Sequence, residues 1–132
     1  MKEIGIGIIG GGYMGKAHAV AMSAVGAVFN TNLRPRLEMV CGSSPKTSKK
    51  YCEAYGFKRA ANTWEELVKD KKVEAVIIAS PQSTHLKIAL MALSLGKPVF
   101  CEKPLGVSIE DGKKMVAAAE KSGAVNLSLI HI

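Results

Sequence analysis

The sequence predicts an α/β fold, a doubly wound parallel sheet of the Rossmann type. Three observations carry this expectation. Short, continuously apolar runs alternate with helical patterns along the 132 residues. Those runs lack polar alternation, as strands covered on both faces require. A glycine-rich turn joins the first run to the first helix, where such sheets hold their ligands.

The first strand is read in "IGIGIIG", residues 4–10, and a helix follows from about Met14 to Phe29, with Ala17, Ala21, Val25 and Val28 on one face. "LEMVCG" (37–42) is the second strand. Ser44-Pro45 reads as an N-cap with a proline in the first turn of a helix toward Tyr55. Thr63-Trp64-Glu65-Glu66 is a capping box in which Glu66 is expected to reach back to the Thr63 backbone N–H. The short helix it opens leads to "EAVIIAS" (74–80), the most evidently buried strand. Thr84 to Leu95 is helical, with Gly96 as its C-cap. "PVFCE" (98–102) is another strand, and Ser108 caps a last helix, "IEDGKKMVAAAEKSG". "AVNLSLIHI" has the hydrophobicity of one further strand, and no repeat or low-complexity linker interrupts the chain.

Composition narrows the classes. A 48% apolar content suits one globular domain and excludes a disordered or fibrous chain. No apolar run approaches the roughly 20 residues of a membrane helix, so no membrane partner is expected. The N-terminal "MKEIGIGIIGGG" reads as a strand and not as a signal peptide. Cys41, Cys52 and Cys101 are odd in number and form no C-x-x-C pair, which predicts reduced thiols, a cytoplasmic location and no metal site. Eighteen basic against eleven acidic residues give a net charge of +7. The charges are dispersed and aromatics make up only 5%, so a nucleic-acid stacking surface is poorly supplied and no nucleic-acid partner is expected. An anionic small molecule accounts for the excess as well.

Gly10-Gly11-Gly12-Tyr13-Met14-Gly15 matches G-x-G-x-x-G between a strand and a helix. Gly10 is expected to make the tight turn, Gly12 to let backbone approach a pyrophosphate, and Gly15 to let helix and strand pack closely. The helix N-terminus then offers N–H groups and a partial positive charge to the phosphates. Flavin dinucleotides and S-adenosylmethionine are the competing ligands for such a turn. A carboxylate usually meets the ribose at the end of the second strand. Here "VCGSSPKTSKK" holds none, and Ser43, Ser44 and Lys46 stand in its place. Hydroxyls and an ammonium suit a 2′-phosphate, so NADP is expected in preference to NAD. Lys49 and Lys50 read as a solvated helix face.

In "CEKPLG", Glu102 and Lys103 fall at the carboxyl end of the sheet, where a lysine beside a carboxylate can share a proton with a substrate oxygen. By spacing alone, a surface ion pair before a turn proline is the simpler reading. The chain, however, resembles the N-terminal domain of the glucose–fructose oxidoreductase, inositol dehydrogenase and MocA family over residues 4 to 126. The resemblance rests on "GIIGGGYMGKAH", "VIIASPQSTH" (76–85) and "GKPVFCEKPLG" (96–106). It implies an NAD(P)-dependent oxidoreductase acting on a sugar, inositol or related polyol, with Lys103 assisting proton transfer and Glu102 beside the nicotinamide ribose. It also implies that Ser80 and Pro81 line the cofactor, in a loop that more often reads Thr-Pro-Asn, so Gln82 departs from the pattern. Tyr13 and Met14 in the glycine turn and His85 at a helix start are implied as cofactor-binding. His18 matches the family's "KAH", with packing or capping as its expected role.

Family enzymes carry a second, C-terminal α/β domain that supplies most substrate contacts, an Asp and a His of the catalytic group, and usually an oligomer interface. Residues 1–126 are therefore expected to be the dinucleotide-binding domain, inactive alone, of a parent that forms a homo-oligomer. The "LSLIHI" of residues 127–132 departs from the family's continuation. It can be encoded by CTGTCTCTTATACACATC, which looks like a transposon-end adapter, so a non-native tail is expected there. A non-catalytic dinucleotide sensor or partner-binding Rossmann module is the alternative. Glu102 and Lys103 argue against it, since a sensor needs no proton donor at the nicotinamide.

Overall fold

The computed structural model describes residues 1–128. Six strands, β1 (Lys2–Ile9), β2 (Leu33–Cys41), β3 (Arg59–Ala60), β4 (Ala75–Ile78), β5 (Val99–Cys101) and β6 (Asn126–Leu127), form one sheet. Between them run α1 (Tyr13–Val28), α2 (Pro45–Tyr55), α3 (Trp64–Lys69), α4 (His85–Ser94) and α5 (Ile109–Ser122), with a 3-10 turn at Gln82–Thr84 ahead of α4. Every strand pair is parallel, in the order β3-β2-β1-β4-β5-β6. The chain builds outward from β1 in one direction and then, from β4, in the other. That reversal opens a crevice at the carboxyl ends of β1 and β4.

Successive side chains of a strand point to opposite faces, and the apolar runs fill two cores accordingly. Met39, Cys41, Val76 and Ile78 join Leu67, Ile88 and Met115 on one face. Ile6, Ile8, Val40 and Ile77 pack with Ala19 and Phe57 on the other. The predicted doubly wound parallel sheet is what forms.

The helix ends follow local chemistry. Ser44, Thr63 and Ser108 accept from the backbone N–H of Thr47, Glu66 and Asp111, and Gly56, Gly96 and Gly123 take the positive φ that closes a helix. One detail of the capping box differs: Glu66 accepts from the Asn62 N–H (2.8 Å) and not from that of Thr63. β2 also begins four residues earlier than its apolar run. Its charged start is held by pairing with β1 from Lys2↔Leu33 onward. Pro35 is tolerated there because β3 pairs only with Met39 and Val40 and asks nothing of its missing N–H. β3 itself, two residues long, left no periodic signal to read. At the other edge, Leu127 pairs with Phe100, while residues 129–132 of the expected tail lie outside the described residues.

Candidate functional site

A cavity of about 760 Å³ opens at the carboxyl ends of β1, β2 and β4, within the size range of small-molecule sites. Its floor is the glycine turn. Gly10 has φ +98°, and a Cβ there would strike the Ala79 carbonyl. A Cβ on Gly15 would run into the Gly10 carbonyl oxygen, so this position sets how closely α1 meets β1. Around Gly12 nothing lies within 4 Å of where a Cβ would stand. No side chain caps α1 and no acid sits in its first turn, so its leading N–H groups and its dipole are open to an anion. A diphosphate fits this arrangement. Tyr13 and Met14 begin α1 beside the turn, both exposed, and Gly15 is buried.

At the end of β2, Gly42 and Ser43 line the cavity. Ser44 is committed elsewhere: its Oγ accepts from the Thr47 N–H (3.1 Å) and bonds the Thr47 hydroxyl (2.7 Å). Lys46 is exposed in the first turn of α2, outside the cavity lining. Ser80 and Pro81 form the wall beyond β4, tied down by Thr84, whose hydroxyl bonds both the Ser80 hydroxyl and the Pro81 carbonyl at 2.6 Å.

His85 stands behind that wall. It is 1% exposed, with Nε2 2.8 Å from the Ser80 carbonyl oxygen and Nδ1 2.9 Å from that of Pro104. It thus joins the Ser80-Pro81 loop to the loop after β5 and leaves no ring nitrogen for the cavity. The β5 loop is also anchored through its backbone, Glu102 N–H donating to Ile78 (2.9 Å). His18, on α1, reaches across to Glu102, with Nε2 2.6 Å from Oε1 and its ring edge on Phe100. This half-buried pair gives His18 a defined place, orienting Glu102. Lys103 follows, exposed.

Several lining residues escaped the sequence reading: Tyr51 from α2, and Asn62, Thr63, Trp64 and Glu65 at the start of α3. The signal for Tyr51 was the i, i+4 spacing of Tyr51 and Tyr55 on one helix face; Trp64 was visible only as part of a capping box. Burial pushes the Cys101 thiol up to about 12 and raises that of Cys41, so neither serves as a nucleophile at neutral pH. Among the described residues no cluster of three His, Cys, Asp or Glu could hold a metal ion, and no helix is long and apolar enough to cross a membrane.

The comparisons with known proteins agree with this geometry. Residues 4–131 match the oxidoreductase family with an NAD-binding Rossmann fold, Gfo/Idh/MocA. Levoglucosan dehydrogenase of Pseudarthrobacter phenanthrenivorans is 31% identical over 128 residues, 96% of this chain and 33% of that protein. Inositol 2-dehydrogenase of Salmonella typhimurium is 34% identical over 118 residues, 89% of this chain and 33% of that protein. A solved structure of levoglucosan dehydrogenase in complex with NADH and levoglucosan superposes with TM-score 0.93 at 30% identity, covering 96% of this chain and 34% of that one. The chain spans about a third of the length of these relatives. With its parallel sheet, its glycine turn under an uncapped helix and a family match along nearly its whole length, this chain belongs to the Gfo/Idh/MocA oxidoreductases, as their NAD-binding Rossmann domain.

Proposed function

We propose that this chain is the cofactor domain of a dehydrogenase that moves hydride between a nicotinamide dinucleotide and a sugar, inositol or related polyol. The observation that carries the reading is the uncapped N-terminus of α1 above the open backbone of Gly12, facing the same crevice end as the Glu102-Lys103 loop. When bound, the nicotinamide supplies or accepts the hydride. Gly12, with the first N–H groups of Tyr13 and Met14, would hold the diphosphate, on a turn that Gly10 makes and a close approach of α1 that Gly15 allows, and Ser80 and Pro81 wall the crevice. Lys103 manages the proton: its ammonium would donate to a carbonyl oxygen of the substrate, and its amine would take the hydroxyl proton in the reverse direction. Glu102, oriented by His18, sits next to it. His85 supports both loops from behind. Substrate choice and self-association belong to the rest of the parent, so this chain binds cofactor without turnover.

The cofactor we favour is NADP. No carboxylate stands at Gly42, Ser43 or Ser44. Ser43 faces the cavity, and Lys46 adds its charge to the α2 N-terminus, which Ser44 caps. Titration of the chain with NADPH and NADH, followed by quenching of Trp64 in the cavity wall, tests both parts. Tighter NADPH binding, inverted by Ser43→Asp, is the expected result. Equal or NADH-favouring affinity overturns the NADP preference alone. A folded sample that binds neither overturns the dinucleotide reading.

A further inference from the structure

Gly11 is the glycine of the turn with no expected role, and the structure gives it one. A Cβ there would collide with the Tyr51 ring at Cδ2, and one on Gly42 would lie 3.0 Å from Tyr51 Cε2. The ring of Tyr51 is wedged between the glycine turn and the end of β2, and glycine at both places admits it. Tyr55 secures the wedge. Its ring stacks on Tyr51 with centroids 5.5 Å apart and an interplanar angle of 11°, and its hydroxyl donates to the Gly11 carbonyl at 2.7 Å.

This is the stretch of a doubly wound crevice where the adenosine ribose lies against the end of the second strand and a carboxylate usually receives its 2′-hydroxyl. None stands there in this chain. Tyr51 lines the cavity. Among the described residues its hydroxyl meets no hydrogen-bond partner, and it is not one of the buried, unpaired oxygens, so it is open to the cavity or to solvent. A phenol can donate to a phosphate and either donate to or accept from a hydroxyl. Resting on the dinucleotide reading above, we propose that Tyr51 reads the 2′ position of the adenosine ribose, taking the place of the missing carboxylate.

The test measures the affinity of the 132-residue chain for NADH, NADPH and 2′-deoxy-NADH, in the wild type and in Tyr51→Phe, which keeps the ring and hence the wedge. The expected result is a loss of about 3- to 10-fold for NADH, and at least that for NADPH, with 2′-deoxy-NADH unchanged. A structural role alone would weaken all three alike. An equal change across the three ligands, or no change, overturns this assignment and leaves the dinucleotide reading standing. A wild-type chain that binds no dinucleotide overturns both.

Discussion

At the amino ends of the strands the charged groups close on one another, whereas at the carboxyl ends the leading N–H groups of α1, Ser43 and Lys103 stay open beside the paired His18 and His85. Glu38, 3% exposed, receives Arg36 and Arg59 at 2.8 Å. Arg59 grips Asp70 through two nitrogens, both at 2.8 Å. Glu74 accepts from the Gly5 N–H, and the half-buried Lys97 ammonium donates to the Val68 and Asp70 carbonyls at the end of α3. Burial pushes the Glu38 carboxyl up, but the hydrogen bonds from Arg36 and Arg59 outweigh it and hold it below the usual carboxylate range. Across the sheet, α1 begins without a cap, Ser43 is exposed and Lys103 extends into solvent. The charges at the amino ends satisfy one another, while at the opposite rim the first N–H groups of α1 and the Lys103 ammonium have no side-chain partner among the described residues. Unpaired donors are what a ligand can use.

The contrast can be broken most strongly at the glycine turn. Gly15→Ala places a methyl against the Gly10 carbonyl. The expected cost is about 1–3 kcal/mol, together with loss of dinucleotide binding, read by thermal melting and by NADH titration. Gly12→Ala sharpens the point, because its Cβ meets nothing: the melting temperature should stay put while NADH binding falls by at least about tenfold. If the two variants behave alike, the turn acts through folding alone.

Next in size is the ion network at the amino ends. Arg59→Ala strips Asp70 of its main partner and leaves Glu38 with Arg36 only. A loss of about 1–3 kcal/mol is expected in urea unfolding, with NADH affinity unaltered. The hydrogen bond from Arg59 holds the Asp70 carboxyl down to about 2. A depressed folded-state value gives stability that is complete above the unfolded-state value of about 3.9 and is lost as pH falls through about 2. The wild type should therefore weaken between about pH 4 and pH 2, and Arg59→Ala should flatten that acid limb in pH-dependent melting. The smallest effect belongs to Ser44→Ala. Removing the α2 cap should cost about 1 kcal/mol, and the NADPH-to-NADH affinity ratio should not change, because the hydroxyl is already bonded to Thr47.

Most of what was legible in the sequence is local. The apolar runs, the Ser44 and Ser108 caps, and the close approach of Gly15 to the Gly10 carbonyl depend on residues close in the chain, so their types and spacing disclose them. The site was legible in outline for the same reason, since the glycine turn and the Glu102-Lys103 loop each sit in one short stretch. The long-range contacts that complete it were not. His18 meets Glu102 across 84 positions, and Tyr55 meets Gly11 across 44.

The sequence by itself therefore determined the parallel α/β class, the alternation of strand and helix apart from β3, and the anion-ready turn, because hydrophobic period, capping chemistry and glycine's freedom at positive φ act within a few residues. Only the tertiary structure decided that β3 exists, that Glu38 could be buried between two arginines, that Ser43 faces the cavity while Ser44 turns away, and that a tyrosine fills the notch beneath the glycine turn. Those outcomes depend on which strands lie side by side, and the strand order that sets this is a property of the packed sheet as a whole.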